Sequence, residues 1–344
     1  MKKVGIVTLT AVYNYGNSLQ NYAVLKKIES LGYHAKTIYF DFSGVGIKSF
    51  IKRAIKNPFY HRRILAYRKF EKKYLQVFRG RTLRNLDGQF DYFVVGSDQV
   101  WNTRWYGSSS MMKDIYLLSF AGRRKRISFS ASFGIDEVQD DYRKIFSEEL
   151  ENFKELSVRE ESGAKIIREL TGRSATVLVD PTLLLTQDEW RRLEKKPRKA
   201  KSGYILTYFL SPKCETAKKE LTKIQHGRYV YNLLDSYDAV TRTSGPTEFL
   251  WLFDHADLIL TDSFHACVFS FLFNKPFVVY DRNWNDCNMN SRLETLLKKF
   301  HLERKYANSG LENDIWEHNY EDGYKQLELE RQKATDFLKK ALDC

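Results

Sequence analysis

The sequence lacks the features that mark membrane-spanning, secreted and zinc-binding proteins. No stretch approaches the roughly 18 consecutive apolar residues that a transmembrane helix needs. The 344 residues include only four cysteines, and no CxxC pair is present, so neither a disulfide framework nor a zinc site is indicated. The first residues, MKKVGIVTLT, lack the apolar core of a signal peptide. These absences favour a cytoplasmic protein that uses neither a metal nor another resident cofactor.

Acidic residues are almost absent between Lys48 and Arg84. This segment has thirteen Lys or Arg residues and one acid, Glu71, while the net charge of the whole chain is +13. Its apolar residues recur at helical spacing, which predicts basic amphipathic helices that break near Pro58. Such helices bind anionic membrane surfaces, so the pattern predicts a peripheral membrane contact. A solvated basic face over the domain core fits it equally well, whereas nucleic acid is disfavoured because no binding motif accompanies the charge.

Strand and helix patterns alternate along the rest of the chain. Strands are predicted at 3–9, 34–40, 91–96, 126–134, 155–160, 174–180, 204–210, 228–234, 256–260 and 277–280. Helices are predicted at 18–32, 140–154, 160–171, 213–225, 246–255, 264–273, 289–300 and 321–341. Strands separated by helices predict parallel sheets, and a charged, proline-containing stretch after Pro181 interrupts the series. The fold prediction is therefore α/β, with two Rossmann-like halves facing a cleft.

The predicted domains follow from that interruption. Residues 1–180 form the first Rossmann-like domain, with the basic segment 48–84 as a helical insertion, and residues 181–320 form the second. Residues 321–344 form a terminal helix with no strand after it, and we expect it to pack back across the domain junction.

Polar residues cluster where predicted strands end, which is where ligands of parallel α/β sheets bind. The first group, NYGN, contributes Asn14, Gly16 and Asn17 just before the first helix, where glycine permits a tight turn and asparagine can cap the helix. The segment is not GxGxxG, so a dinucleotide site is not indicated. By itself, this stretch fits a capped turn without a ligand.

The second group, VVGSDQVWN, follows the strand at 91–96 and supplies Ser97, Asp98, Gln99, Trp101 and Asn102. An acid, amides and an indole together suit a sugar, because carbohydrates stack on aromatic rings and need planar hydrogen-bonding groups. The third group, SFSASFG, places small hydroxyl residues, Ser132 among them, at another strand end.

The fourth group centres on Arg159, at the end of the strand in ELSVRE. An arginine there can bind a carboxylate or phosphate through two parallel hydrogen bonds, although a single arginine is more often part of a surface ion pair.

In the second half, TDSFHACVFSFLFNKPFVVY reads as strand end, turn, helix and strand. Ser263 and His265 lie at the turn, where a helix N-terminus points free N–H groups at anions. A single histidine is more often structural, but this position favours a functional role. Arg292, near the next helix start, is a second candidate anion contact.

Six segments together resemble the polysaccharide pyruvyl transferase family. In chain order they are NYGNSLQNYAV, VVGSDQVWN, SVREESGAKIIRELTG, VLVDPTLLL, TDSFHACVFSFLFNKPFVVY and MNSRLETLL. The resemblance implies a GT-B-like fold, with residues 1–180 on the acceptor side. It also implies transfer of pyruvate from phosphoenolpyruvate to a sugar as a ketal. The catalytic histidine of the family matches His265, and the donor-binding arginine matches Arg159.

One position departs from the family pattern, since Ser263-Phe264-His265 stands where well-studied members carry Arg-Leu-His. Either Arg292 or Lys275 supplies the missing cation, or the donor is not phosphoenolpyruvate.

We expect His265 to act as the acid and Asp98 as the base. The other donor contacts are expected from Arg159, Ser263, Arg292, Asn14, Gly16 and Asn17. Acceptor contacts are expected from Ser97, Gln99, Trp101, Asn102 and Ser132.

The acceptor implied by the resemblance is a sugar of an exopolysaccharide or capsule, or of its precursor carried on a polyprenyl diphosphate. That lipid would bring the cytoplasmic protein to the inner face of the membrane, in keeping with the basic segment. Two other functions remain open: a GT-B glycosyltransferase with a nucleotide-sugar donor, and a catalytically silent glycan-binding protein with the same fold.

Overall fold

The computed structural model describes residues 1–10, 14–40, 60–80, 83, 85–105, 109–235, 237–284, 287–288, 291–310 and 314–343. The chain forms two compact units. Unit 1 comprises Met1–Ser43, Glu71–Leu184 and Glu328–Cys344, and unit 2 comprises Gly44–Phe70 and Leu185–Leu327.

The main elements are named here in chain order. The strands of unit 1 are β1 (Lys3–Val7), β2 (His34–Phe40), β3 (Val77–Gly80), β4 (Tyr92–Val95), β5 (Arg126–Ser128), β6 (Ser157–Val158) and β7 (Thr176–Val177). Those of unit 2 are β8 (Tyr204–Tyr208), β9 (Tyr229–Asn232), β10 (Leu258–Thr261), β11 (Phe277–Val279), β12 (Asn283–Trp284) and β13 (Cys287–Asn288). The helices are α1 (Tyr15–Ser30), α2 (Tyr60–Tyr74), α3 (Asp140–Leu150), α4 (Glu161–Thr171), α5 (Gln187–Arg191), α6 (Glu215–Ile224), α7 (Pro246–Asp254), α8 (Phe264–Leu272), α9 (Ser291–Lys299) and α10 (Glu321–Leu342).

Unit 1 is built on a parallel sheet in the order β3-β2-β1-β4-β5. Isolated parallel bridges join Ile127 to Glu155 and Ala131 to Val158, so β6 and β7 extend the same series. Every residue of β4 is buried, as expected for a central strand covered by helices on both faces. The sheet has the Rossmann-like character that the alternating sequence pattern predicted.

Unit 2 is built on a second parallel sheet, in the order β11-β10-β8-β9. The central strand β10 pairs with β8 on one side and β11 on the other. The helix that follows it, α8, is buried along its whole length, which explains why its sequence is apolar on nearly every face.

Helix α1 begins three residues earlier than predicted. Asn14 is its N-cap, and the side-chain oxygen of Asn14 accepts a hydrogen bond from the N–H of Asn17 over 3.3 Å. Gly16 and Asn17 therefore lie inside the first helical turn and do not form a loop before it.

The basic segment contains a strand that the sequence did not predict. Residues Val77–Gly80 form β3, which pairs in parallel with β2, whereas the helical spacing placed Phe78 on a helix. The N–H of Thr37 donates to the carbonyl of Gln76 over 2.8 Å, so pairing with β2 overrides the local helical pattern. The predicted break near Pro58 lies outside the described residues.

The unit boundaries differ in two ways from the predicted domains. Residues Gly44–Phe70 group with unit 2, although the basic segment was predicted as part of the first domain, and the change of unit falls after Leu184, not at 180. The later part of α10 belongs to unit 1, where Arg331 Nε donates to the carbonyl of Leu183 over 2.8 Å and Lys333 Nζ donates to that of Val177 over 3.0 Å. None of the described helices has the length and apolar character needed to cross a bilayer.

Candidate functional site

The turn after β4 holds Asp98 in an unusual backbone conformation. Gly96 has φ 118°, and a Cβ there would lie 2.3 Å from the carbonyl oxygen of Phe129, so only glycine fits. Asp98 has φ 61°, in the left-handed region that few non-glycine residues adopt. Its carbonyl accepts the N–H of Ser132 over 2.9 Å. The backbone of the turn therefore fixes the position of the Asp98 Cα and the direction of its Cα–Cβ bond.

Ser97 lies within this turn and is fully buried. Its N–H donates to Gln20 Oε1 over 2.9 Å, and its hydroxyl donates to the carbonyl of Ser130 over 2.8 Å. Its carbonyl accepts from the hydroxyl of Thr8 over 3.2 Å. These bonds make Ser97 part of the support for the turn, in place of the acceptor contact that the sequence predicted.

Arg159 joins two buried acids at the carboxyl end of β6. One arm, Nη2, donates to Asp98 Oδ1 over 3.3 Å, and Nη1 donates to Asp180. Asp180 also accepts from the N–H and hydroxyl of Thr182, over 3.0 and 2.6 Å. Burial by itself would lower the pKa of Arg159, but the surrounding carboxylates, Asp180 first, more than offset it, so the pKa is raised. The guanidinium is a permanent buried cation.

This geometry argues against the direct contact with the donor that the sequence predicted for Arg159. The residue is 4% exposed, and both terminal nitrogens are directed at protein carboxylates. The structure places it as a positioning residue for Asp98. The sequence singled out Asp98 and Arg159 separately, and the fold brings them together.

Glu160 is a functional candidate that the sequence analysis missed. It is 1% exposed, and Oε1 accepts from the hydroxyl of Ser132 over 3.0 Å and from the N–H groups of Phe133 and Gly134 over 2.7 and 3.0 Å. Oε2 is buried without a hydrogen-bond partner among the described residues. Ser132 is thus committed to Glu160 through its hydroxyl and to Asp98 through its N–H. The available signal was the first acid in SVREE, directly after Arg159 at the strand end.

Trp101 is a core residue, which corrects the prediction that its ring stacks on a sugar. It is 0% exposed, its indole N–H donates to the carbonyl of Tyr116 over 2.8 Å, and its ring centroid lies 5.2 Å from that of Phe133 and 5.9 Å from that of Phe153. Neither ring face is open. An indole fills an aromatic core as readily as it binds carbohydrate, and the sequence does not distinguish the two.

The two amides of this motif are also buried, but they differ in their hydrogen bonding. Asn102 Oδ1 accepts from the N–H of Arg104 over 3.1 Å, which is a local turn contact. Gln99 Nε2 has no hydrogen-bond partner within the described part of the chain. It packs against Gly134 so closely that a Cβ on that residue would lie only 1.9 Å from it. A buried donor without a partner is costly unless water or a ligand accepts from it. Gln99 therefore stays a candidate for the acceptor site.

In unit 2, His265 lies in the first turn of α8, directly after β10. It is 8% exposed, and Ser263 is the N-cap of the helix, without a capping bond from its side chain. The ring centroids of His265 and Phe264 are 5.4 Å apart, and the guanidinium carbon of Arg292 lies 5.7 Å from the Phe264 centroid. The structure thus places His265 and Arg292 at the same phenyl ring, with Ser263 next to it in the chain.

Asp262 fastens this turn to the neighbouring loop after β8. Its carboxylate accepts from the N–H of Leu210 over 2.7 Å, and from the N–H and hydroxyl of Ser211 over 2.9 and 2.6 Å. Lys213 follows in that loop, just before α6, and burial lowers the pKa of its ammonium, although the charge of Asp235 partly offsets this. The position rule that selected His265 also applies to Lys213, which the sequence analysis missed.

Lys275 is at the opposite edge of the same sheet from His265. It precedes β11, ten positions after His265, and the seven helical steps from His265 to the end of α8 alone span roughly 10 Å. Its charge acts instead on Glu194. Lys275 therefore does not replace the arginine missing at Ser263, and Arg292 is the better placed of the two predicted substitutes.

The amino edge of this sheet also carries a cavity and a group of possible metal ligands. The cavity, of about 690 Å³, is lined by Tyr229, Trp251 and His255 among others, and it is not near His265. Among the described residues, Glu194, Asp254 and His255 bring ligand atoms within 4.8 Å of one another. Arg191 already donates to both oxygens of Asp254, over 2.9 and 3.0 Å, so a guanidinium supplies the positive charge there.

Solved structures resemble this chain along its whole length at low sequence identity. A Listeria monocytogenes protein assigned as a UDP-N-acetylglucosamine 2-epimerase is 10% identical, with 99% of this chain and 96% of that chain covered and a TM-score of 0.50. The Neisseria meningitidis UDP-GlcNAc 2-epimerase bound to UDP-GlcNAc is 10% identical, with 99% of each chain covered and a TM-score of 0.45. Acinetobacter baumannii MurG is 9% identical, with 99% and 94% covered and a TM-score of 0.41.

The Listeria likeness concerns the fold alone, and together with the two parallel sheets it confirms the predicted α/β, GT-B-like fold class. No curated protein matches the chain. The family model described as polysaccharide pyruvyl transferase matches residues 14–283, which include the turn after β4, Arg159 and His265. The match spans most of the chain and confirms the resemblance found in its motifs: the protein belongs to the polysaccharide pyruvyl transferase family.

Proposed function

We propose that this protein transfers the pyruvyl group of phosphoenolpyruvate to two hydroxyls of one sugar, forming a ketal and releasing phosphate. The observation that carries the proposal is the position of His265 in the first turn of α8, with the guanidinium carbon of Arg292 5.7 Å from the centroid of the adjacent Phe264 ring. The family match supports the same reaction class. Phosphoenolpyruvate as donor and a sugar as acceptor are part of the proposal.

The donor needs an acid and cations. Protonation of its methylene carbon leaves C2 electron-deficient and open to attack by the first sugar hydroxyl. Once that hydroxyl has added, the C2–O bond to phosphate breaks with its electron pair on the phosphate oxygen. We assign His265 as the acid, either to the methylene carbon or to the departing phosphate. Arg292 and Lys213 are the cations that we assign to the carboxylate and phosphate of the donor, and the free N–H groups at the start of α8 add to them.

The acceptor needs a base and a hydrogen-bonding partner. One sugar hydroxyl adds to C2 and loses its proton, and the second hydroxyl adds to C2 and loses its proton as phosphate departs. Two C–O bonds thus form at C2, and the two protons released balance the one gained by the methylene carbon and the one carried away by phosphate. We assign Asp98 as the base for the first hydroxyl, because Arg159 and the β4 turn fix its carboxylate. Gln99 Nε2 and Glu160 Oε2, buried without a hydrogen-bond partner among the described residues, are suited to bind sugar hydroxyls.

A nucleotide-sugar donor is the second candidate, and Ser263 is the observation that favours it. A serine in place of the family arginine removes one contact to an anionic donor. A diphosphate bound at the start of α8 would still find Arg292 and Lys213. A silent, glycan-binding role would require neither donor to be consumed.

The test uses the purified full chain with phosphoenolpyruvate and a panel of acceptor sugars, free and polyprenyl-diphosphate-linked. We expect phosphate release that depends on the acceptor, together with an acceptor product whose mass has increased by one pyruvyl ketal. The His265→Ala variant is the control and should release none. Consumption of a nucleotide sugar without phosphoenolpyruvate turnover would support the second candidate, and sugar binding without either reaction would support the silent one. A lipid-linked acceptor and a peripheral membrane contact belong to the same proposal.

A further inference from the structure

One face of α2 is exposed, basic and free of acidic residues. The exposed residues of the helix are His61, Arg62, Leu65, Arg68, Lys69, Lys72 and Lys73. They recur at intervals of three and four, so they form one continuous stripe along the helix surface. We call this stripe the basic face. It carries five permanent cations.

The opposite face of α2 anchors the helix in the protein. Ile64, Tyr67 and Phe70 are 2%, 0% and 2% exposed. The apolar residues of the described part of the helix are therefore largely committed to the core. These buried side chains are therefore not available to enter a membrane. The hydrophobic member of the basic face is Leu65, which is 49% exposed.

Two charged residues of α2 lie off the basic face and have structural roles. Arg63 donates through Nη2 to the carbonyls of Leu233 and Thr241 over 2.9 and 3.0 Å. Glu71, the acid within the basic segment, accepts from the hydroxyl of Tyr39 over 2.8 Å. Arg63 and Glu71 thus hold the helix to neighbouring segments of the chain.

We infer that the basic face binds the surface of an anionic lipid bilayer. Arg62 and Lys73 are eleven residues apart, so the cations extend over roughly 17 Å of helix, more than one small anion could contact. A convex, extended row of cations suits a planar array of negative headgroups. Leu65, amid the lysine and arginine stems, can reach the interfacial region while the charged ends stay at headgroup level. A nucleic-acid surface would be expected to present Phe, Tyr or Trp rings for base stacking, and the described residues of this face include none of the three.

This inference rests on α2 and not on the identity of the donor or acceptor. It names the surface behind the peripheral membrane contact included in the proposed function. Loss of membrane binding would therefore leave turnover on a soluble acceptor unchanged, and failure of pyruvyl transfer would leave membrane binding unchanged.

The experiment measures co-sedimentation of the full chain with vesicles of phosphatidylcholine, with and without phosphatidylglycerol, across a salt series. The test variant combines Arg62→Gln, Arg68→Gln, Lys69→Gln and Lys72→Gln. Each cation near an anionic surface contributes about fivefold to partitioning, so the variant should bind roughly 100-fold more weakly or worse at low salt. A matched control with Arg123→Gln, Arg124→Gln, Lys144→Gln and Lys165→Gln removes the same charge from exposed positions in unit 1 and should bind like wild type.

Leu65→Ala should weaken binding to anionic vesicles by a few-fold without changing the salt dependence. If the fourfold variant has an altered thermal transition, the double variant Arg68→Gln and Lys72→Gln replaces it in the experiment. The double variant should show an intermediate loss of vesicle binding. Failure of wild type to sediment with anionic vesicles at low salt would overturn the inference. So would an equal loss in the matched control, or binding to nucleic acid of matched charge with none to vesicles.

Discussion

Arg159 donates to the carboxylate of Asp98 over 3.3 Å, although the two residues are 61 positions apart in the chain. The other arm of the guanidinium binds Asp180, so one buried cation orders the ends of several chain segments in unit 1. A buried cation between two acids is weak evidence for stability, because desolvation offsets much of the attraction. Its effect on the orientation of Asp98 is the more specific consequence.

Arg159→Lys should therefore lower kcat and leave the donor KM nearly unchanged. A lysine keeps the charge but cannot reach both carboxylates with a planar fork, so Asp98 loses its fixed orientation. Steady-state kinetics with phosphoenolpyruvate as the varied substrate measures kcat and the donor KM separately. Arg168→Lys, at an exposed position on α4, is the control. A raised donor KM with kcat intact would instead restore the direct donor contact predicted from the sequence.

Arg159→Met should also destabilise the protein. Removing the cation leaves Asp98 and Asp180 as uncompensated buried carboxylates, and breaking a buried pair in this way costs about 3–5 kcal/mol of the free energy of unfolding. Urea unfolding followed by circular dichroism measures it. A loss below about 1 kcal/mol, typical of an exposed ion pair, would contradict the buried arrangement.

His265→Asn should lower transfer by about 10²–10⁴-fold while the thermal transition stays near that of wild type. Asparagine is polar and smaller than histidine, so the first turn of α8 keeps its backbone hydrogen bonds. His255→Asn, at the amino edge of the same sheet, is the matched control and should retain activity. Near-wild-type turnover in the His265 variant would remove this residue from the mechanism.

Arg292→Ala and Lys213→Ala should each raise the donor KM by about tenfold or more, because a hydrogen bond to a charged group contributes about 1.5–3 kcal/mol. Lys218→Ala, on the exposed surface of α6, should leave it unchanged. Apparent donor KM values for the three variants provide the comparison. If only the Lys213 variant differed from wild type, Arg292 would not be the substitute for the arginine absent at Ser263.

Glu194→Gln should stabilise the protein more at pH 8.5 than at pH 5. Burial, reinforced by the charge of Asp254, raises the pKa of Glu194 from 4.5 to about 8. Between these values the folded state holds a proton that the unfolded state has lost, so stability falls as the pH rises through this window. Glutamine carries no titratable proton, so the variant does not lose stability in this pH window. Thermal unfolding of the variant and of wild type at pH 5, 6.5 and 8.5 measures the change in stability, with Glu169→Gln as the exposed control. A stability difference between variant and wild type that does not depend on pH would contradict the raised pKa of Glu194.

The order of strands and helices could be read from the sequence, because buried strands and helix caps have strong local patterns. His34–Phe40 is a strand with the bounds predicted for it. The local pattern failed where a neighbour decided the outcome. Val77–Gly80 has the spacing of a basic helix, and pairing with β2 makes it a strand. The start of α1 was placed late because Asn14, and not Asn17, is its cap.

The site was predictable as a set of positions, but not as a set of contacts. Polar residues after strand ends selected Asp98, Arg159 and His265. The partners of Arg159 come from distant segments, and only the fold shows that its guanidinium is directed at acids of the protein itself. Trp101 was misjudged for the same reason, since the direction of its side chain depends on the backbone of a turn with positive φ values.

Helix α10 is synthesised last, although much of it packs in unit 1, which is otherwise synthesised first. Its residues from Glu328 onward belong to unit 1, where the hydroxyl of Tyr33 donates to the carbonyl of Leu342 and Arg331 donates to the carbonyl of Leu183. The ribosome delivers these residues only after it has made all of unit 2. The N-terminal sheet therefore emerges first and is completed last. A nascent or shortened chain ending near residue 320 would hold a finished set of strands whose covering helix is missing, a species for chaperones and proteases to recognise.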